Sequence, residues 1–196
     1  MRQILSLQGG MAAGKTTLAK RLQDALEDVL VVYENPYPLI EKRKQLNLDL
    51  KKEKDFILNQ KMFIEQEVEK YRRLPDANII YDRGPEDIEF YTLFYPISIG
   101  KEWDMEGQLK AELSELRACR SDAILYLDAK AETLLAHKQG DATRSRNSFG
   151  QAMSMLPYEK AWFAQFPTMT MLEIDKLDPQ EVESRAQELL AKLWKV

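Results

Sequence analysis

Ile4-Leu5-Ser6-Leu7-Gln8-Gly9-Gly10-Met11-Ala12-Ala13-Gly14-Lys15-Thr16-Thr17-Leu18 decides the fold of this 196-residue chain. Ile4-Leu5-Ser6-Leu7 reads as a short buried strand. From Gly14 to Asp28 the apolar residues Leu18, Leu22 and Leu26 share one face of a helix. Between them, Gly9 to Thr16 follows the pattern glycine, four residues, glycine, lysine, threonine. A strand before such a loop and a helix after it are the context in which it binds phosphate. The glycines let successive N–H groups point inward as an anion nest, and the helix N-terminus adds partial positive charge. Gly9, Gly10, Met11, Ala12, Ala13 and Gly14 would wrap a triphosphate. Lys15 would reach its β- and γ-phosphates, Thr16 would ligate Mg²⁺, and Thr17 would lie toward the α-phosphate. The bland alternative is a chance glycine turn, and the agreement of motif, strand and helix opposes it.

The remaining sequence alternates strand and helix. Residues 29–33, 78–81, 123–127 and 169–174 are β-branched or apolar runs that read as strands. Residues 51–73, 103–119, 131–138, 151–166 and 179–194 read as helices, and another begins at Pro85. Pro36 and Pro38 read as a break. The expectation is an α/β fold: one domain over residues 1–196, a five-stranded parallel sheet covered by helices on both faces as a three-layer sandwich. Ligands of such sheets collect at the carboxyl ends of the strands.

Chemistry-bearing residues stand at those ends. Glu34 follows the second strand, where a carboxylate can orient or deprotonate an attacking hydroxyl, or be a solvated turn residue. Asp82-Arg83 follows the third. There the Asp can hold Mg²⁺ or its water and the Arg can balance charge on phosphoryl oxygens. An ion pair capping the helix that Gly84-Pro85 opens is the alternative. Residues 139–150 are polar and arginine-bearing, and they read as a short lid whose Arg144 and Arg146 stabilise a transferring phosphoryl group, or as a solvated basic loop. The aromatic run 90–95 either packs in the core or walls a flat acceptor. Lys42-Arg43-Lys44, Lys51-Lys52 and Arg72-Arg73 read as solvated faces.

A formal net charge of −4 argues against coating a nucleic-acid polymer, which needs clustered positive charge. The single cysteine, Cys119, can form no internal disulfide and reads as filler at a helix end. The single histidine, His137, reads as a solvated helical residue. No stretch approaches the roughly 20 apolar residues that span a bilayer, and no signal-peptide core opens the chain, so a cytoplasmic protein is expected. Helices 51–73 and 103–119 could pair in a bundle, which allows a homodimer.

These residues resemble the P-loop small-molecule kinases, and within them the deoxyribonucleoside kinase and thymidylate kinase group. The likeness runs through nearly the whole chain in order. Glu34, close to Pro36, resembles the Glu-Pro of that group, whose Glu is the base for a sugar 5′-hydroxyl. Gln60 on the long helix matches its base-reading glutamine, Asp82-Arg83 its Asp-Arg or Glu-Arg-Ser, and Arg144 and Arg146 its lid arginines. Asn35 interrupts the Glu-Pro pair, Gly84 replaces the serine, and no glutamate follows the lid arginines. The resemblance implies a P-loop NTPase fold and a kinase that uses ATP (or GTP) with Mg²⁺ on a small acceptor, first a nucleoside or nucleotide. Glu34, Gln60 and Arg83 would bind that acceptor. An NTP-hydrolysing switch with a protein partner is the reading from another class, and no switch glutamine is evident for it.

Overall fold

The computed structural model describes residues 2–140 and 148–194, which form two compact units. The first comprises residues 1–33, 76–83 and 121–196, and the second residues 34–75 and 84–120. Both segments of the second unit leave the first just after a strand.

The first unit holds the sheet: β1 (Gln3–Gln8), β2 (Val29–Val32), β3 (Asn78–Asp82), β4 (Ala123–Asp128) and β5 (Met169–Glu173). All pairings are parallel, in the order β2-β3-β1-β4-β5, with Leu5 opposite both Ile80 and Ala123. All five expected strands are present. The order reverses at β1, so the phosphate loop leaves the sheet at its topological switch point. Alternate side chains explain the unbroken apolar runs. Leu5, Leu7, Ile80, Leu125 and Leu127 are buried in one core with Leu18, Ala19 and Leu22 of α1 (Lys15–Ala25) and Ala186 and Leu190 of α9 (Pro179–Trp194). On the opposite face Ile4, Ile79, Ile124, Tyr81 and Tyr126 are buried as well. Tyr126 there packs on Phe163 of α8 (Phe149–Phe163), ring centres 5.4 Å apart.

The helix α7 (Ala131–Gly140) starts on a cap from a distant strand end. Asp175, just past β5, accepts from Lys130 N at 3.0 Å and Thr133 Oγ1 at 2.7 Å. Those bonds, the Thr133 hydroxyl first, hold its carboxyl below the usual range. Of the segment 139–150 expected as a lid, residues 139–140 belong to α7 and 149–150 to α8. Arg144 and Arg146 lie outside the described residues.

The second unit is helical: α2 (Tyr37–Gln45), α3 (Glu53–Arg72), α4 (Pro85–Ser98), α5 (Met105–Gln108) and α6 (Lys110–Arg117). Two expectations need correction. The prolines at 36 and 38 open α2 rather than break the chain, because a proline in the first turn loses no intrahelical hydrogen bond. Residues 103–119 form two helices, since Asp104 caps a short turn through Gly107 N at 2.8 Å before Leu109 leaves helical geometry. The three basic residues 42–44 end α2, where cations suit the helix dipole.

Within this unit α3 and α6 bury their apolar faces together, with Ile64, Val68, Leu113, Leu116 and Cys119 in one cluster. Cys119 is filler, as read. The aromatic run joins the core too: Phe56 stacks on Tyr95 with ring centres 5.0 Å apart, and Phe90 on Phe94 at 4.9 Å. A carboxylate buried to 2% exposure, Glu89, accepts from Arg117 Nε at 2.7 Å and Arg120 Nη2 at 2.6 Å. The Arg117 fork also grips Glu106 at 2.6 and 2.7 Å, which holds the Glu106 carboxyl below its usual range.

Replacing Glu89 with alanine should therefore lower stability by about 2–3 kcal/mol in urea titration, less than a fully buried pair because both arginines are half-exposed. Glu106 has a depressed folded value, so its contribution is present above the unfolded carboxylate value and lost as pH falls through the folded one. The gap between wild type and Glu106→Gln should close on acidification; a gap constant down to pH 3 would contradict this.

Candidate active site

The loop between β1 and α1 is built from backbone that ordinary residues resist. Gly9 sits at φ +128°, Ala12 at +74° and Gly14 at +91°. A Cβ on Gly9 would collide with the carbonyl oxygen of Leu127 on the adjacent strand β4, so the first glycine is required by close approach as well as by conformation. Gly14 has open space around it and is needed only for its left-handed turn into the helix. Ala13 N donates to Gly10 O at 3.1 Å, closing a tight turn with Ala12 at its third position.

Lys15 is buried to 6% exposure on the first turn of α1. Its Nζ donates to the carbonyls of Gly9 and of Gly10, the latter at 2.9 Å, so the ammonium lies against the loop it is expected to serve. On the next residue, Thr16 Oγ1 donates to Asp82 Oδ2 at 2.6 Å. Asp82 ends β3, the sheet neighbour of β1, and is 5% exposed. Two side-chain oxygens 66 positions apart in sequence thus meet at the first turn of α1, one residue after the lysine. Thr17 points outward and is exposed.

Arg83 follows immediately at φ +66°, and its backbone N–H donates to Leu7 O at 3.2 Å. A non-glycine residue in this region is held at a cost of about 1–2 kcal/mol, and such residues concentrate at functional sites. Gly84 and Pro85 then open α4, as the helix-start reading of this segment expects. Tyr33, after β2, donates its hydroxyl to Gln23 Oε1 at 2.6 Å. Burial first, and then the charges of Asp82 and Asp24, push its phenol above the usual value.

In the second unit Glu34 is exposed, while Gln60 is 2% exposed on α3. The Thr92 hydroxyl of α4 donates to Gln60 Oε1 at 3.0 Å and lies 2.7 Å from Ile88 O, so this amide is fixed between two helices. On the same helix burial pushes the Glu67 carboxyl above its usual range against the opposing Lys70 ion pair at 2.6 Å.

Sequence reading missed one neighbour of the loop. His137 on α7 places Nδ1 3.1 Å from Ala12 O, across 125 positions. It is exposed and helical, as expected, but no local pattern announces the contact.

A family profile described as an AAA domain matches residues 5–163, more than half of the chain, and the chain belongs to that family. Its fold is that of the P-loop nucleoside and nucleotide kinases. Deoxyadenosine kinase from M. mycoides, solved with dCMP and dCDP, superposes with a TM-score of 0.76 at 15% identity, covering 97% of this chain and 99% of that one. The same enzyme with bound dATP gives 0.67 at 17% identity, covering 96% and 99%. Thymidylate kinase from Candida albicans gives 0.69 at 16% identity, covering 97% and 91%. No curated protein sequence matches the chain.

Substitution should separate the two glycine roles. Gly14→Ala should cost about 1–2 kcal/mol, the left-handed penalty alone. Gly9→Ala should cost roughly 3 kcal/mol, because overpacking against strand backbone adds to that penalty. Equal unfolding midpoints for the two variants would contradict the close approach at Leu127.

Proposed function

We propose that this protein is an ATP-dependent kinase that transfers the γ-phosphoryl group to a small acceptor, a nucleoside or nucleotide. The observation that carries this is the Thr16 hydroxyl bonded to Asp82 at 2.6 Å, with Lys15 of the same helix turn bonded to the loop carbonyl of Gly10 at 2.9 Å and Arg83 at positive φ next to Asp82, on a fold shared with two such kinases.

In this reading the loop amides and Lys15 hold the donor phosphates. Thr16 and Asp82 would hold Mg²⁺: a hydroxyl and a carboxylate are hard oxygen ligands, and the Thr16 hydroxyl already has Asp82 as acceptor for its proton. When bound, the ion would supply charge neutralisation at the phosphoryl group. Glu34 orients the acceptor hydroxyl and takes its proton. Arg83, with Arg144 and Arg146, balances charge on the transferring group, whose loose transition state needs positioning more than covalent help. Gln60 and Arg83 contribute to acceptor recognition, and Gln60 brings an amide already fixed by Thr92. In this reading residues 1–196 are a single kinase domain. No described helix is long and apolar enough to cross a membrane, and we place the activity in the cytoplasm.

Incubation with Mg²⁺-ATP and a nucleoside and nucleotide panel should give acceptor-dependent ADP release. Hydrolysis indifferent to every acceptor would replace the kinase with the switch reading. Lys15→Ala should abolish turnover. Glu34→Gln should lower kcat by about 10²–10⁴-fold with KM for ATP unchanged, and an unaltered kcat would remove Glu34 as the base. Gln60→Ala should change the ranking of acceptors rather than the use of ATP; an unchanged ranking would end its role in recognition.

A further inference from the structure

The peptide unit joining Ala12 to Ala13 is engaged at both of its polar atoms. Its N–H, from Ala13, donates to Gly10 O at 3.1 Å. Its C=O, from Ala12, lies 3.1 Å from Nδ1 of His137. A carbonyl offers only lone pairs, so the histidine must present a proton on Nδ1. One peptide plane is therefore gripped at both ends, once from within the loop and once from α7.

This grip falls where the loop needs it. Ala12 is at φ +74° and carries a Cβ, so it lacks the freedom of the glycines on either side of the loop. A nest of inward N–H groups requires residues alternating between left- and right-handed conformations, with their carbonyls turned away. Left alone, Ala12 would favour relaxation toward negative φ, which would swing its carbonyl and spoil the nest. A donor placed outside the loop opposes that relaxation. His137 is on the exposed side of α7, and α7 is itself anchored by Asp175 at its start and by buried Leu134 in the sheet core. The ring is thus presented from a fixed element.

We infer that His137 is a positioning residue for the donor phosphates, acting through the Ala12 carbonyl to hold the loop in its anion-binding conformation. The inference rests on the phosphate-loop reading of residues 9–16. It makes the protein's affinity for a polyphosphate depend on a hydrogen-bond donor carried by a helix far away in sequence. Preorganisation lowers the cost of binding without adding a contact to the ligand.

Calorimetric titration with inorganic tripolyphosphate tests it, using wild type, His137→Ala and His137→Asn. The asparagine amide offers an N–H near the Nδ1 position. His137→Ala should bind about five- to tenfold more weakly, and His137→Asn should recover most of the loss. Amide hydrogen exchange at Ala13 should be faster in His137→Ala than in wild type without ligand. Equal affinity of wild type and His137→Ala would overturn the inference and leave the phosphate reading standing. Failure of His137→Asn to recover affinity would overturn the donor role. Absence of tripolyphosphate binding by wild type would overturn the phosphate reading, and the inference with it.

Discussion

Everything at the candidate site depends on a loop that the chain must be forced to adopt. Gly9, Ala12 and Gly14 all sit at positive φ, and left-handed backbone is unfavourable wherever a Cβ is present. The surrounding structure supplies the restraint. The first glycine is wedged against the Leu127 carbonyl of β4, and the Gly9 and Gly10 carbonyls accept from Lys15. The helix that follows buries Leu18 and Leu22 in the sheet core. Loop and sheet are therefore one object: loosening the β1–β4 pairing would release the strain that shapes the loop.

The same logic extends to β3. Its last residue, Asp82, receives the Thr16 hydroxyl, and the next, Arg83, is bent into the left-handed region while its N–H reaches Leu7 O. Parallel pairing of β3 with β1 sets both bonds, because the register puts Asp82 opposite Leu7 at the strand ends. The chemistry proposed here needs polar side chains at fixed separations, and strand ends that cannot slide without exposing their apolar sides hold Asp82 where it meets Thr16. The second unit is held differently, by stacked aromatic rings around Phe56 and by the Glu89 carboxylate between two arginines.

Local pattern sufficed where structure is local. The strands and the long helix α3 were legible from apolar periodicity, and the loop from its spacing, because those signals lie within neighbouring residues. The α2 helix was not, since proline within the first turn and proline as a breaker look alike until the helix has a core to pack on through Leu39. The split between α5 and α6 was hidden for a related reason: a capping Asp104 competes with a helical pattern that would tolerate continuation. The aromatic run in α4 could be read as core or as ligand wall, and only its stacking partners assigned it to the core.

By itself, then, the sequence determined the kind of fold and the phosphate loop at residues 9–16, because both follow from spacing along the chain. It also named Glu34, Asp82 and Arg83 as strand-end residues. Tertiary structure decided which of these meet. Thr16 and Asp82 are joined because β3 pairs with β1, Gln60 is fixed because α4 brings Thr92 to it, and His137 reaches Ala12 because α7 packs beside the loop. Such contacts depend on distances across many intervening residues, which no periodicity encodes; those at the loop exist only once the sheet order β2-β3-β1-β4-β5 has been set, and the Gln60–Thr92 bond only once α3 and α4 have packed.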